Sequence, residues 1–222
     1  MRLTIYGRST VLKALLITLA IDAAALLVPN EWAKLALLVV SIAFISFTLY
    51  FFRDPVREIP KDLKDGDVLS PADGKVMMIE DVEENEFIKG PAKVIGIFLS
   101  PLNVHVNRVP ISGTVKFYQY IKGEFIAAYD HASADKNERT VIGIEGEKFK
   151  VLFKQITGFV ARRIVCELRV GDKVKRGEKF GMIKFGSRTD VLLPANALVK
   201  VSVNQKVTGG ITLLAEVPGL SG

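Results

Sequence analysis

Three short stretches carry the side chains with which this chain could do nucleophilic, acid or base chemistry. Ser187 lies in KFGSRTDVLLP (184–194), Asp73 in LSPADGKV (69–76) and His105 in FLSPLNVHVNRVP (98–110). A serine hydroxyl is a weak nucleophile unless a base stands beside it. Ser187 is outside any G-x-S-x-G elbow, and the Gly186–Ser187 pair also reads as an ordinary turn. Pro-Ala-Asp-Gly around Asp73 is a good turn sequence, yet a turn aspartate can act as a base if folding brings it to a hydroxyl. The chain has only 2 histidines. His105, between Pro101 and Pro110, reads either as a plain loop or strand residue or as the proton carrier. His131, in AYDHASADKNERT (128–140), reads as a solvated surface residue. Spacing alone does not say whether these groups meet.

Other chemistries find little support. A hydrolytic zinc site needs three protein ligands, and the residue two after His105 is Asn107, so no metal is expected. The 1 cysteine, Cys166, permits no internal disulfide and reads as a small core residue in the strand-like RRIVCEL. The net charge of +6 suits an anionic partner. Basic residues are scattered among acidic ones without an aromatic-lined stripe, which argues against nucleic acid and for an anionic membrane surface.

The elements that would position these groups fall into two parts. Residues 11–28 and 35–52 are apolar runs, each long enough to span a bilayer, and PNEWAK (29–34) joins them as a turn. They predict a transmembrane helical hairpin over 1–52. Arg2 and Arg8 precede it, and Arg53, Arg57, Lys61 and Lys64 follow it. The positive-inside rule then puts both ends in the cytoplasm, with Asp22 toward the outer interface. Residues 53–222 show short Val-, Ile- and Phe-rich runs at 75–79, 94–99, 114–120, 140–144, 151–155, 163–168 and 199–203. Gly, Pro, Asn and Asp punctuate these runs, which predicts a mainly β domain, an antiparallel sandwich or barrel. One short helix is expected within 125–137. DGDVLSPADGKV (65–76) and VGDKVKRGEKFGMI (170–183) are both Gly-Asp turns feeding strands, like the hairpins of lipoyl domains, but without the lysine such domains modify.

Four motifs in order, SPADGKV (70–76), FLSPLNVHVNRVPISG (98–113), ASADKNERT (132–140) and FGSRTDVLLP (185–194), resemble the short prokaryotic phosphatidylserine decarboxylases, including the archaetidylserine decarboxylases. The resemblance covers the whole of 53–222. It implies a precursor that cuts itself between Gly186 and Ser187 into chains 1–186 and 187–222. Ser187 then becomes a covalent pyruvoyl cofactor that forms a Schiff base with phosphatidylserine or archaetidylserine, and the product is the ethanolamine phospholipid. Asp73 and His105 would activate Ser187, and His105 would return the proton after CO2 leaves. Longer members carry a second histidine where this chain has Arg108, a candidate for the lipid phosphate. A homo-oligomer is left open. The alternative is a membrane-tethered, non-catalytic lipoyl-like or adaptor module.

Overall fold

The computed structural model describes residues 2–123, 136–158, 163–184 and 187–218. The chain divides into two compact units, Met1–Val56 and Arg57–Gly222.

The first unit is a pair of packed helices, α1 (Arg8–Ala25) and α2 (Glu31–Phe51). Asn30 starts α2, its Oδ1 accepting from the backbone N–H groups of Trp32 and Ala33 at 3.0 Å each. Most buried positions are small, Ala14, Thr18 and Ala25 on α1 and Ser41 and Thr48 on α2; Phe51, at the end of α2, is the large exception. Small residues let two helix backbones approach closely where lipid offers no hydrophobic drive. Thr4 N donates to Phe52 O at 2.9 Å and Asp54 N to Arg2 O at 2.8 Å, so both ends of the pair sit together. Among the described residues only α2 is long and apolar enough to cross a membrane. α1 holds Arg8, Lys13 and Asp22 within its 18 residues.

The second unit is antiparallel β throughout its named strands, as expected. Its strands are β1 (Asp67–Leu69), β2 (Gly74–Glu84), β3 (Gly90–Leu99), β4 (Val106–Arg108), β5 (Gly113–Ile121), β6 (Arg139–Glu145) and β7 (Lys150–Thr157). They continue as β8 (Arg163–Cys166), β9 (Lys173–Val174), β10 (Lys179–Lys184), β11 (Ser187–Pro194), β12 (Leu198–Val199), β13 (Lys206–Val207) and β14 (Leu213–Glu216). Eight form one sheet in the order β13-β2-β3-β11-β7-β6-β5-β9; β1-β14-β12 and β4-β10-β8 make two three-stranded sheets. Of the run expected at 199–203 only Val199 lies in a strand, as the second residue of β12. The helix expected within 125–137 lies almost entirely outside the described residues. Both Gly-Asp turns do feed strands, β1 and β9, and Gly171 takes φ +99, a conformation that favours glycine.

The main core lies on one face of the large sheet. Ile95, Val191, Phe153 and Ile142 form a row across β3, β11, β7 and β6. Phe180 of β10 meets Phe153 edge-on, with ring centroids 5.3 Å apart. On the opposite face Met78, Phe87, Val141, Leu152 and Leu192 make a smaller cluster. Into that face project Arg188 and Asp190, joined by Arg188 Nε donating to Asp190 Oδ1 at 2.6 Å. Arg188 Nη2 also donates to Met78 Sδ at 2.8 Å. Gly96, opposite Asp190, leaves room for the pair: a Cβ there would lie 2.7 Å from Met78 Cγ and 3.3 Å from Asp190 Oδ1.

Two expectations follow from this packing. Asp190→Asn leaves the buried Arg188 charge without its carboxylate and should lower stability by about 3–5 kcal/mol, whereas Arg188→Met with Asp190→Leu should recover most of that loss. Urea unfolding of the detergent-solubilised chain, followed by its β-sheet circular dichroism, measures both. Burial, with a smaller contribution from Glu167 and Asp172, pushes the Cys166 thiol up to about 11. Its alkylation by iodoacetamide at pH 8 should therefore be about tenfold slower than that of an exposed cysteine, the lower thiolate fraction being partly offset by a more basic sulfur.

Candidate active site

Strand directions gather the chemistry at one end of the large sheet. Leu99 ends β3, Thr157 ends β7, Ser187 begins β11 and Gly74 begins β2. Ser187 pairs with Leu99 on one side and Thr157 on the other. The segments 70–73 and 100–105 therefore both meet the sheet at this end, where Ser187 begins β11.

Across the sheet, polarity changes toward this end. The Ile95–Val191–Phe153–Ile142 row is followed by Ile97–Thr189–Gln155–Thr140, then by Leu99–Ser187–Thr157. Thr140 Oγ1 donates to Gln155 Oε1 at 2.7 Å, and Gln155 Nε2 donates to Asn107 Oδ1 at 2.8 Å. Asn107 lies on β4, so this chain of bonds ties the small β4-β10-β8 sheet to the large one. Asn137 Nδ2 donates to Thr157 O at 2.7 Å and Thr157 Oγ1 to Glu138 O at 3.1 Å, completing a buried polar layer.

Ser187 is fully buried, and among the described residues its Oγ has no hydrogen-bond partner. A buried hydroxyl left unmatched is costly, and such a group is a candidate for function. Gly186, the other half of the expected cleavage bond, lies outside the described residues, as does His131.

His105 is also fully buried. It stands two residues before Asn107, and strand alternation puts the two on one face of the chain. Ile183 N donates to His105 O at 3.4 Å, so the His105 backbone lies across from the strand that runs into residues 185–187. His105 Nδ1 is 3.0 Å from Asn103 O. A carbonyl oxygen only accepts, so Nδ1 carries the hydrogen and Nε2 is the basic nitrogen of the neutral ring. Asn103 is itself fixed, its Oδ1 accepting from Ser100 N at 2.9 Å and Ser100 Oγ at 2.8 Å. This loop gives His105 a defined tautomer.

Asp73 has different company. Its Oδ2 accepts from Arg57 Nη2 at 2.6 Å, and its Oδ1 lies 2.6 Å from Arg57 Nη1 and accepts from Gly209 N at 2.8 Å. Arg57 Nη1 also donates to Gly209 O at 2.5 Å. β3 stands between Asp73 and Ser187, a separation of about 10 Å for two strand spacings. Arg108 N donates to Pro71 O at 2.8 Å, which lays the 70–74 turn along β4, the strand that His105 leads into. Arg57 was singled out in the sequence only as a charge flanking the membrane span; its bond to Asp73 crosses turns that no spacing links.

Arg108 sits on the face of β4 opposite Asn107. It is buried, and its Nη1 donates to Gly177 O at 2.9 Å. That contact ties β4 to the 175–178 turn. Among the described residues no cluster of His, Cys, Asp and Glu could hold a metal ion.

A family model described as Phosphatidylserine decarboxylase matches residues 44–215. The chain is 46% identical over 213 residues to a phosphatidylserine decarboxylase proenzyme of Chlorobium limicola, covering 96% of this chain and 99% of that protein. A protein of the same name from Prosthecochloris aestuarii is 44% identical over 216 residues, covering 97% and 98% of the two chains. A third, from Chlorobaculum tepidum, is 42% identical over 220 residues, covering 99% and 100%. The match takes in the end of α2 and all of Asp73, His105 and Ser187, and the chain belongs to the phosphatidylserine decarboxylase family.

Proposed function

We propose that this chain is made as a precursor, cuts itself between Gly186 and Ser187, and then decarboxylates phosphatidylserine, or its isoprenoid-ether counterpart archaetidylserine, to the ethanolamine lipid. The observation that carries the reading is the buried Ser187 hydroxyl at the first residue of β11, held in register by a strand on each side. A non-catalytic adaptor has no use for such a hydroxyl.

In cleavage, His105 Nε2 takes the proton of Ser187 Oγ, and the oxygen attacks the Gly186 carbonyl carbon. The Gly186–Ser187 C–N bond breaks, leaving an ester. Loss of the Ser187 α-proton expels the Gly186 carboxylate, and one water then replaces the residual nitrogen, released as ammonia. Asp73 holds the 70–74 turn beside β4 through Arg57 and Gly209, and supplies a fixed negative charge at the end of the sheet where His105 becomes cationic.

Residue 187 would carry the resulting pyruvoyl group. That group supplies an electrophilic ketone, an electron sink for the α-carbon of the substrate as CO2 departs. The remaining work belongs to the chain. β3 and β7 hold residue 187 in place, buried surroundings exclude bulk water, and His105 Nε2 delivers the proton that the α-carbon needs. On this reading α2 anchors the protein to the bilayer that holds its substrate, and the basic residues on either side of the helical pair favour a cytoplasmic β unit.

Denaturing gels and CO2 release test these roles. Ser187→Ala should stay a single chain without activity. Asp73→Asn should accumulate as precursor. His105→Ala should cut only partly, and the cut fraction should lose at least about a hundredfold in CO2 release, within the range contributed by a positioned acid or base. Wild-type CO2 release from His105→Ala would remove His105 from the mechanism.

A further inference from the structure

One buried amide ties the small sheet to the strands that hold Ser187. Gln155, on β7, is fully buried and pairs with Thr189 of β11, one row from the Thr157–Ser187 pair. Its Oε1 accepts from Thr140 Oγ1 at 2.7 Å. Its Nε2 donates to Asn107 Oδ1 at 2.8 Å and to Val165 O at 3.4 Å. Asn107 and Val165 belong to β4 and β8, the two outer strands of the β4-β10-β8 sheet. Gly181 of the middle strand pairs with Asn107 on one side and with Cys166 on the other. A Cβ at Gly181 would run into Val165 O, the carbonyl that Gln155 reaches. Gln155 therefore grips the small sheet from both sides of β10.

The strand steps around this grip bring the reacting groups level. From Asn107 back to His105 is two residues, and this step follows β10 from Gly181 to Ile183, whose N–H meets His105 O. From Thr189 back to Ser187 is also two residues, matched by Gln155 to Thr157 on β7. Each step is about 7 Å along a strand. The Gln155–Asn107 bond, one row inward, thus sets how far along β11 His105 stands. Phe180 also packs on Phe153 between the sheets, but apolar contact is not directional and leaves sliding open. The Asn107 side chain has no second tie among the described residues, its Nδ2 being unmatched. A shift of about 1 Å at reacting atoms can cost on the order of 100-fold in rate.

We propose that Gln155 is a positioning residue of this site, holding β4 against β7 and β11 so that His105 serves residue 187 in both cutting and proton return. This rests on the decarboxylase reading above. It adds a residue that touches neither the substrate nor the reacting atoms.

The test uses the full-length chain in mixed micelles with phosphatidylserine. Gln155→Met keeps the length and bulk of the side chain and removes its hydrogen bonds. It should cut about 10- to 100-fold more slowly than wild type. In the cut fraction, CO2 release is counted per pyruvoyl carbonyl, titrated by reductive trapping, so uncut and unfolded protein drops out. That kcat should fall by a similar factor, with KM within about twofold. Asn107→Leu should behave likewise and carries the same readout if Gln155→Met folds poorly. The double variant should lose no more than either single one, because the two residues act through one bond. A wild-type kcat per carbonyl in the cut fraction of these variants overturns the proposal and leaves Gln155 a structural residue. A raised KM with normal kcat overturns it as well, and so do additive losses in the double variant. Wild-type protein that neither cuts nor releases CO2 would sink the decarboxylase reading itself, whereas an active wild type with an equally active Gln155→Met sinks this proposal alone.

Discussion

The structure depends on the seating of β11 between β3 and β7. Eight residues, Ser187 to Pro194, pair with β3, and six of them also pair with β7. A strand bonded on both sides in mid-sheet cannot shift register without turning its Val191 and Leu193 out of the core. That constraint fixes the position of Ser187. It would also answer a mechanical problem that the proposed cleavage poses: a chain end created inside a sheet would fray, and here its ladder bonds and the Arg188–Asp190 pair would hold it. The buried ion pair adds little to net stability, so its value lies in specifying one arrangement of the strand.

The second determinant is how polarity is distributed along the sheet. Apolar rows fill its middle, and in the last two rows Ile97 and Leu99 of β3 stand beside Thr189, Gln155, Thr140, Ser187 and Thr157, with Asn107 and Asn137 bonded to them from outside the large sheet. Such a layer tolerates few errors, because each member must find a partner in a poorly solvated space. Thr140, Gln155 and Asn107 are joined by a chain of bonds, while among the described residues Asn107 Nδ2, the Thr189 hydroxyl and the Ser187 hydroxyl lack partners. Asp73 is set apart from this layer by its bonds to Arg57 and Gly209. Its role is therefore read as indirect, through the turn it holds and the charge it places, and the first assignment of proton transfer goes to His105.

Much of this was legible in the sequence, for identifiable reasons. The runs at 75–79, 94–99, 114–120, 140–144 and 151–155 alternate or cluster strongly enough to appear as β2, β3, β5, β6 and β7. The four motifs pointed to the family because each pairs unusual turn residues with a potential reactive group. What the sequence hid was mostly long-range. Arg57 meets Asp73 through turns far apart in the chain. Lys184 and Arg163 become neighbours only through the β8–β10 register. The Val199–Val203 run looks like a strand but lies mostly outside the ladders, since apolar character alone does not supply a pairing edge.

On the proposed reading the cofactor is carved from the chain's own backbone, which agrees with the name proenzyme that the relatives bear. The most direct measurement is the intact mass of the purified wild-type protein. The account predicts two chains, residues 1–186 and 187–222, the smaller one lighter by one ammonia than its unmodified sequence and blocked to amino-terminal sequencing. A single chain of full length from a preparation that releases CO2 from phosphatidylserine would contradict it.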